Sequence, residues 1–222
     1  MAKNVFAAPA RGVRDADWDG LQGASRRQWP VPLARVATPQ TAQVRARTPA
    51  TGSQTRSKVL ITAWGNTSRG DDALGPALLQ RLQAWADSSG IAGRFEWVED
   101  FQLQIDHALN LEGKTLALYI DAGQNTATPF SFLPISPLQQ PWHTTHAMPP
   151  ESVLAVFERM AKKPPCPAFT LCLKGEDFGI REKLSAAAQN HLESALVFAQ
   201  TLLKNPTPQA WLALVQPQSR SV

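Results

Sequence analysis

The chain has 222 residues, 43% of them hydrophobic, and a formal net charge of +4. That length supports one hydrophobic core of ordinary size with residues to spare. No stretch approaches the roughly 18 consecutive apolar residues of a membrane helix, and residues 1–30 lack the apolar central run of an export signal, so neither a membrane protein nor an exported one is expected.

The charge is unevenly placed. Residues 1–57 carry nine Lys and Arg against three Asp and Glu, whereas residues 58–222 carry 13 against 15. The first 57 residues are rich in Ala, Arg, Gln, Thr and Pro and have no hydrophobic period, so they are expected to form a basic, disordered N-terminal extension to one α/β domain over residues 58–222. A docking arm for an acidic partner and a transit peptide are alternative readings of the extension; Asp15, Asp17 and Asp19 count against the second. Nucleic-acid binding would need basic residues clustered on the fold or interleaved with aromatic ones. The domain is acidic, so no nucleic-acid partner is expected.

Residues 59–64, an apolar run rich in strand formers and closed by Gly65-Asn66, predict a buried strand. Residues 73–87 predict a helix, with Leu74, Leu78, Leu79, Leu82 and Trp85 at helical spacing and Pro76 tolerated in the first turn. A second strand is expected over 95–98 and a short helix over 103–111, with Leu103, Ala108 and Leu111 inward. Residues 116–120 are wholly apolar and predict a central strand that stops at Asp121. The proline-rich stretch 129–141 has room for one short strand at 130–133. A helix begins after Pro149-Pro150, with Val153, Leu154, Val156, Phe157 and Met160 on its face. Residues 169–173 predict another core strand, 185–204 a long helix, and 208–215 a final helical turn or two. Strands alternating with helices imply a three-layer α/β fold, with a mostly parallel twisted sheet flanked by helices on both faces.

In such sheets ligands bind beyond the C-terminal ends of the strands. The first strand is followed by a glycine-rich turn bearing Asp71-Asp72, the third by Asp121, the proline-rich stretch by His143 and His146, and the strand at 169–173 by Gly175-Glu176-Asp177. The first turn lacks the Lys-Ser/Thr ending of a P-loop, and two carboxylates there would repel phosphate. One acid at a helix start is explained by the helix dipole; two adjacent acids point to a role in a site for at least one. Asp121 is either the cap of a turn with Ala122-Gly123 or a metal-ligating or acid–base carboxylate. His107 and His191 fall inside predicted helices and read as packing or surface residues. Carboxylates and a histidine from separate strand ends would make a mixed oxygen and nitrogen site suited to Zn, Ni or Co.

The nucleophile alternatives are poor. There is no Gly-x-Ser-x-Gly elbow. Cys166 and Cys172 are the only cysteines, and neither belongs to a Cys-x-x-Cys pair. Cys172 reads as a small buried hydrophobe, and two cysteines without an export signal fit a reducing cytoplasm.

Taken together, the strand-end segments resemble the hydrogenase maturation proteases. Gly65-Asn66, Asp71-Asp72 and Gly75 follow that family's first signature. Asp121-Ala122 resembles its second acidic position, and Thr144-Thr145-His146 before a helix its histidine segment. Glu99-Asp100-Phe101-Gln102-Leu103 resembles its second motif region. The resemblance spans roughly residues 58–200 and keeps motif order. It implies a twisted sheet flanked by helices and a peptidase that removes a C-terminal peptide from the large-subunit precursor of a nickel–iron hydrogenase. It implies Asp72, Asp121 and His146 as metal-contacting residues, with Asp72 and Asp121 also catalytic as in an aspartyl protease. The metal implied is nickel supplied by the substrate, a site that Zn or Cd can also occupy. It also implies the precursor as partner; a cytoplasmic location is expected from the cysteines and the lack of an export signal, and a monomer is the simplest expectation. The sequence departs from the pattern at Ala63 and Ala73, where relatives carry glycine, and Asp72 stands where relatives often have Glu. A non-cleaving, nickel-dependent checkpoint or chaperone for the large subunit would retain the same residues.

Overall fold

The structure, a computed structural model, describes residues 59–139, 148–181 and 183–215. All of them belong to one compact unit. The five strands are β1 (Val59–Trp64), β2 (Phe95–Asp100), β3 (Leu116–Gly123), β4 (Phe130–Ile135) and β5 (Ala168–Lys174), and the helices are α1 (Leu74–Ser88), α2 (Pro150–Ala161), α3 (Ala186–Lys204) and α4 (Pro208–Leu212). They form one sheet in the order β2-β1-β3-β5-β4. The pairings of β1 with β2, β1 with β3 and β3 with β5 are parallel, and β4 joins β5 antiparallel at the edge. No helix among the described residues is long and apolar enough to cross a membrane.

Period-two alternation sorts the strands' side chains into two cores. Val59, Ile61, Leu116, Leu118, Ile120, Phe169 and Leu171 face one way, against Leu78 and Leu82 of α1, Leu192 and Leu202 of α3, and Trp211 of α4. Leu60, Trp64, Ala117, Tyr119 and Ala168 face the other way, against Leu103, Ala108 and Leu111 and against Val153, Leu154 and Phe157 of α2. A sheet buried on both faces explains why its central strands read as continuous apolar runs. The three-layer expectation therefore holds.

Several boundaries differ from the sequence reading. The helix expected over 103–111 is a 3-10 helix, Ile105–Leu111, entered through an extended Gln104. Its capping box is closed by His107, whose Nδ1 accepts from the Gln104 amide at 2.9 Å. β2 runs two residues further than expected, and β3 passes through Asp121 to Gly123. Met160 does not join the core face of α2; it lies in the last turn, 57% exposed. The expected extension over residues 1–57 lies outside the described residues.

The chain closes on Trp211, which is fully buried. Its ring stands edge-on to Phe169 at 5.4 Å and to Phe132 at 6.2 Å, and its indole N–H donates to the Leu202 carbonyl at 3.0 Å. Substituting Trp211→Ala should cost about 3–5 kcal/mol of unfolding free energy, as for a core aromatic, read from the denaturant midpoint. A loss under about 1 kcal/mol would show that α4 is only a satellite of the core.

Candidate functional site

Strand order reverses between β1 and β3, because the chain leaves β1 toward one edge and later fills the other. The C-terminal ends of those two strands are therefore the default crevice of a doubly wound sheet. A cavity of about 300 Å³ opens there, lined by Trp64, Gly65, Asn66, Arg69 and Asp72 after β1, Phe101 and Gln102 after β2, and Asp121 and Ala122 on β3.

The turn after β1 is shaped by close backbone approach. Gly65 has φ +150°, and a Cβ there would fall 2.0 Å from the Asp72 carbonyl oxygen. Only glycine fits. A Cβ on Gly75 would fall 2.6 Å from the Trp64 carbonyl, so α1 starts tight against the end of β1. Between these glycines the chain makes a 3-10 turn, Gly70–Ala73, that carries both acids.

That turn separates the two aspartates. Asp71 has no exposed surface. Its carboxylate accepts from the amides of Glu176 at 2.7 Å and Asp177 at 2.9 Å, and from the amide and hydroxyl of Ser185 at 2.7 and 2.8 Å. Burial disfavours its charge, but the donors from Ser185, Asp177 and Glu176 outweigh that and hold the carboxyl below the usual range. Asp71 is structural. Asp72 turns the other way and lines the cavity, and its Oδ2 accepts the Asn66 amide at 2.9 Å, its one side-chain hydrogen bond among the described residues. Of the two acids, Asp72 is the one available for chemistry.

Asp121 reaches the same cavity from β3. Its Oδ1 accepts the amide of Ala122 at 2.7 Å. Burial, opposed by that bond and reinforced by the charge of Asp72, pushes its carboxyl up to about 7. A carboxyl placed there exchanges protons at neutral pH, as a general acid or base must. Asp121 also pairs across the sheet with Cys172. Burial, with Asp121 adding to it, pushes the Cys172 thiol up to about 11, and burial takes Cys166 to about 11 as well. Both remain thiols at neutral pH, so neither is an activated nucleophile.

His146, and with it His143, lies outside the described residues, so the cavity is built here from the two carboxylates. Met148, two residues after His146, packs against the core on the Trp64 and Tyr119 face. Among the described residues no three His, Cys, Asp or Glu side chains gather into a metal site. Two carboxylates with spare oxygens in one cavity supply part of the ligand set of a divalent ion, and a further ligand is needed to complete it. The remaining histidines are packing groups, as expected: His107 sits 3.2 Å from Asp100, and the Nδ1 of His191 is 2.7 Å from the Lys174 carbonyl oxygen. Glu176 and Asp177, which the sequence places at the same sheet edge, serve through their amides; the Asp177 side chain instead pairs with Arg181. Ala63 and Ala73 do not line the cavity: Ala63 belongs to the α1-side core.

Two residues of the site were not singled out by sequence. Ser185 was read only as a helix start, and it does cap α3, accepting from the Ala188 amide at 3.1 Å. Arg69 carries the one positive charge among the described residues that line the cavity. The only signal for it was its place inside the glycine-rich turn.

No family model matches the sequence, and no curated protein matches it. Solved structures do match. One is a NiFe hydrogenase maturation protease, HycI, from Thermococcus kodakarensis: TM-score 0.51, 18% identity, covering 68% of this chain and 95% of that one. Another is an endopeptidase, HycI, from Escherichia coli: TM-score 0.51, 15% identity, covering 74% of this chain and 99% of that one. The chain thus has the α/β fold of these endopeptidases.

The raised carboxyl of Asp121 has a measurable cost. A folded carboxyl near 7, against about 4 unfolded, holds its proton more tightly than the unfolded one. Stability therefore falls as pH rises from about 4 through about 7. Asn cannot ionise, so Asp121→Asn should be more stable than the parent at pH 8 by on the order of 2–4 kcal/mol, with most of that gain gone at pH 4. Urea unfolding at the two pH values reads it. A variant that is less stable at pH 8 would show that Asp121 is ionised and paired in the fold.

Proposed function

We propose that the protein is an endopeptidase that removes a C-terminal peptide from the nickel-loaded large-subunit precursor of a nickel–iron hydrogenase. The observation that carries this reading is the meeting of Asp72 and Asp121 in one cavity at the β1–β3 switch point, in the fold of a solved hydrogenase maturation protease and a solved endopeptidase. The nickel is part of the substrate. Asp72, Asp121 and His146 are the residues assigned to meet it, and docking it there brings the adjacent peptide bond into the cavity.

The chemistry left to the chain is proton transfer and orientation. At neutral pH Asp121 is only partly ionised, and a cation beside it favours its ionised form. Nickel arriving with the substrate would therefore shift Asp121 further toward the form that acts as base. Water then attacks the scissile carbonyl carbon while Asp121 takes its proton, and the same proton passes to the departing amine nitrogen as the C–N bond breaks. Asp72, held open by the Asn66 amide, keeps the substrate's metal in register. Both carboxylates come from one chain, so the reading needs no second copy, and the substrate is a precursor matured in the cytoplasm.

Incubating the protein with nickel-loaded precursor should produce loss of a defined C-terminal peptide by intact-mass spectrometry. Asp72→Ala should reduce the rate by at least about a hundredfold while leaving the fold intact. Full cleavage by Asp72→Ala would remove it from the site. A stable complex with no mass loss by the wild-type protein would instead favour a non-cleaving checkpoint for the large subunit.

A further inference from the structure

Arg69 is the one charged residue in the described lining of the cavity that neither the metal-contacting set nor the proton-transfer set uses. Its position is fixed by both neighbours in space. Its amide donates to the Asn66 carbonyl at 2.9 Å, and it forms an isolated bridge with Arg181. The amide of Gly70 donates to the Arg181 carbonyl at 2.7 Å, and the amide of Arg181 to the Ser68 carbonyl at 3.0 Å. The side chain is tied as well: its Nε donates to the Phe178 carbonyl at 3.3 Å. The loop after β5 thus fixes the arginine at both backbone and guanidinium.

One donor of the guanidinium is spent on that anchor. Among the described residues its two terminal nitrogens have no hydrogen-bond partner, and it makes no ion pair with Asp72 or Asp121, although all three line the same cavity. A free arginine beside two carboxylates would gain by pairing with one of them. No such pair forms among the described residues, so its remaining donors stay available to a ligand. What the guanidinium offers is a fixed fork of N–H donors and a positive charge. In a cavity whose other charged groups among the described residues are acids, it is the place where negative charge on a substrate oxygen is tolerated.

We propose that Arg69 is the oxygen-binding residue of this site: its terminal nitrogens hold the carbonyl oxygen of the peptide bond that is cut and stabilise the charge that develops there during attack. The proposal rests on the peptidase reading above. It divides the cavity into a cation-holding side, Asp72 and Asp121, and an anion-holding side, Arg69.

The test uses the full-length protein, with cleavage of nickel-loaded precursor followed by mass and Zn²⁺ affinity measured separately. Arg69→Met should lower kcat by about 100–1000-fold, the usual loss for one oxyanion donor, with KM within about threefold of the parent. Thermal midpoint and Zn²⁺ affinity should be no lower than in the parent. Arg69→Lys keeps the charge without the fork and should recover part of the lost rate. If Arg69→Met cleaves at the parental rate, or if it raises KM and leaves kcat alone, the assignment is wrong and the peptidase reading survives. If Arg69→Met loses its thermal midpoint or its Zn²⁺ along with its activity, Arg69 is a loop anchor and the assignment is again wrong. If the parent protein itself leaves the precursor uncut, the peptidase reading fails and this assignment falls with it.

Discussion

Four donors converge on the carboxylate of Asp71, and the geometry of the site follows from them. The three amides and one hydroxyl come from residues 105 to 114 positions further along the chain. They tie the turn between β1 and α1 to the segment between β5 and α3, two connections that share no covalent proximity. A buried carboxylate is tolerable only when it is this well supplied. Hydrogen bonds to a charged group contribute about 1.5–3 kcal/mol each, so the set outweighs the burial of the charge. Because the 3-10 turn commits Asp71 inward, its neighbour Asp72 is turned out toward the cavity. The bonds between 68–70 and Arg181 extend the same seam and place Arg69 at the cavity's rim.

The two cavity carboxylates are arranged on the opposite principle. Asp71 is stabilised by its surroundings, whereas the half-buried Asp121 has one backbone donor among the described residues and a second acid nearby. Such a group costs stability at neutral pH, and folds retain that kind of local conflict where chemistry requires it. The buried hydroxyls of Tyr119 and Ser152 have no hydrogen-bond partner among the described residues. Both lie on the sheet face that carries Trp64 and Asp121, so the unsatisfied polar groups concentrate on one side of the sheet. The α1–α3 side is packed with Leu, Phe and Trp.

Much of this was legible in the sequence. The strands were readable because a sheet covered on both faces leaves short apolar runs, each ended by a glycine, a proline or an acid. The site's location was readable because α/β topology puts ligand sites at strand ends, and Asp72 and Asp121 do meet there. What was not legible was the difference between Asp71 and Asp72. Side-chain direction in a four-residue 3-10 turn follows no helical or strand period, and the donors that decide it lie more than 100 residues away. The same limit hid Ser185, whose capping role was visible and whose bond to Asp71 was not. The 103–111 segment has apolar residues at spacings that suit either helix type, so its 3-10 form and the exposure of Ile105 and Leu109 emerged only from the fold.

The division of labour between adjacent aspartates is the claim on which the site rests, and it is tested by comparing Asp71→Asn with Asp72→Asn in equilibrium unfolding at pH 7. Asn at position 71 turns acceptor capacity into donors and leaves buried amides unsatisfied, so it should lose at least about 2 kcal/mol. Asn at position 72 keeps an oxygen that can accept the Asn66 amide at a partly exposed site and should stay within about 1 kcal/mol of the parent. Equal losses, or a larger loss at position 72, would contradict the assignment of Asp71 to the scaffold and Asp72 to the site.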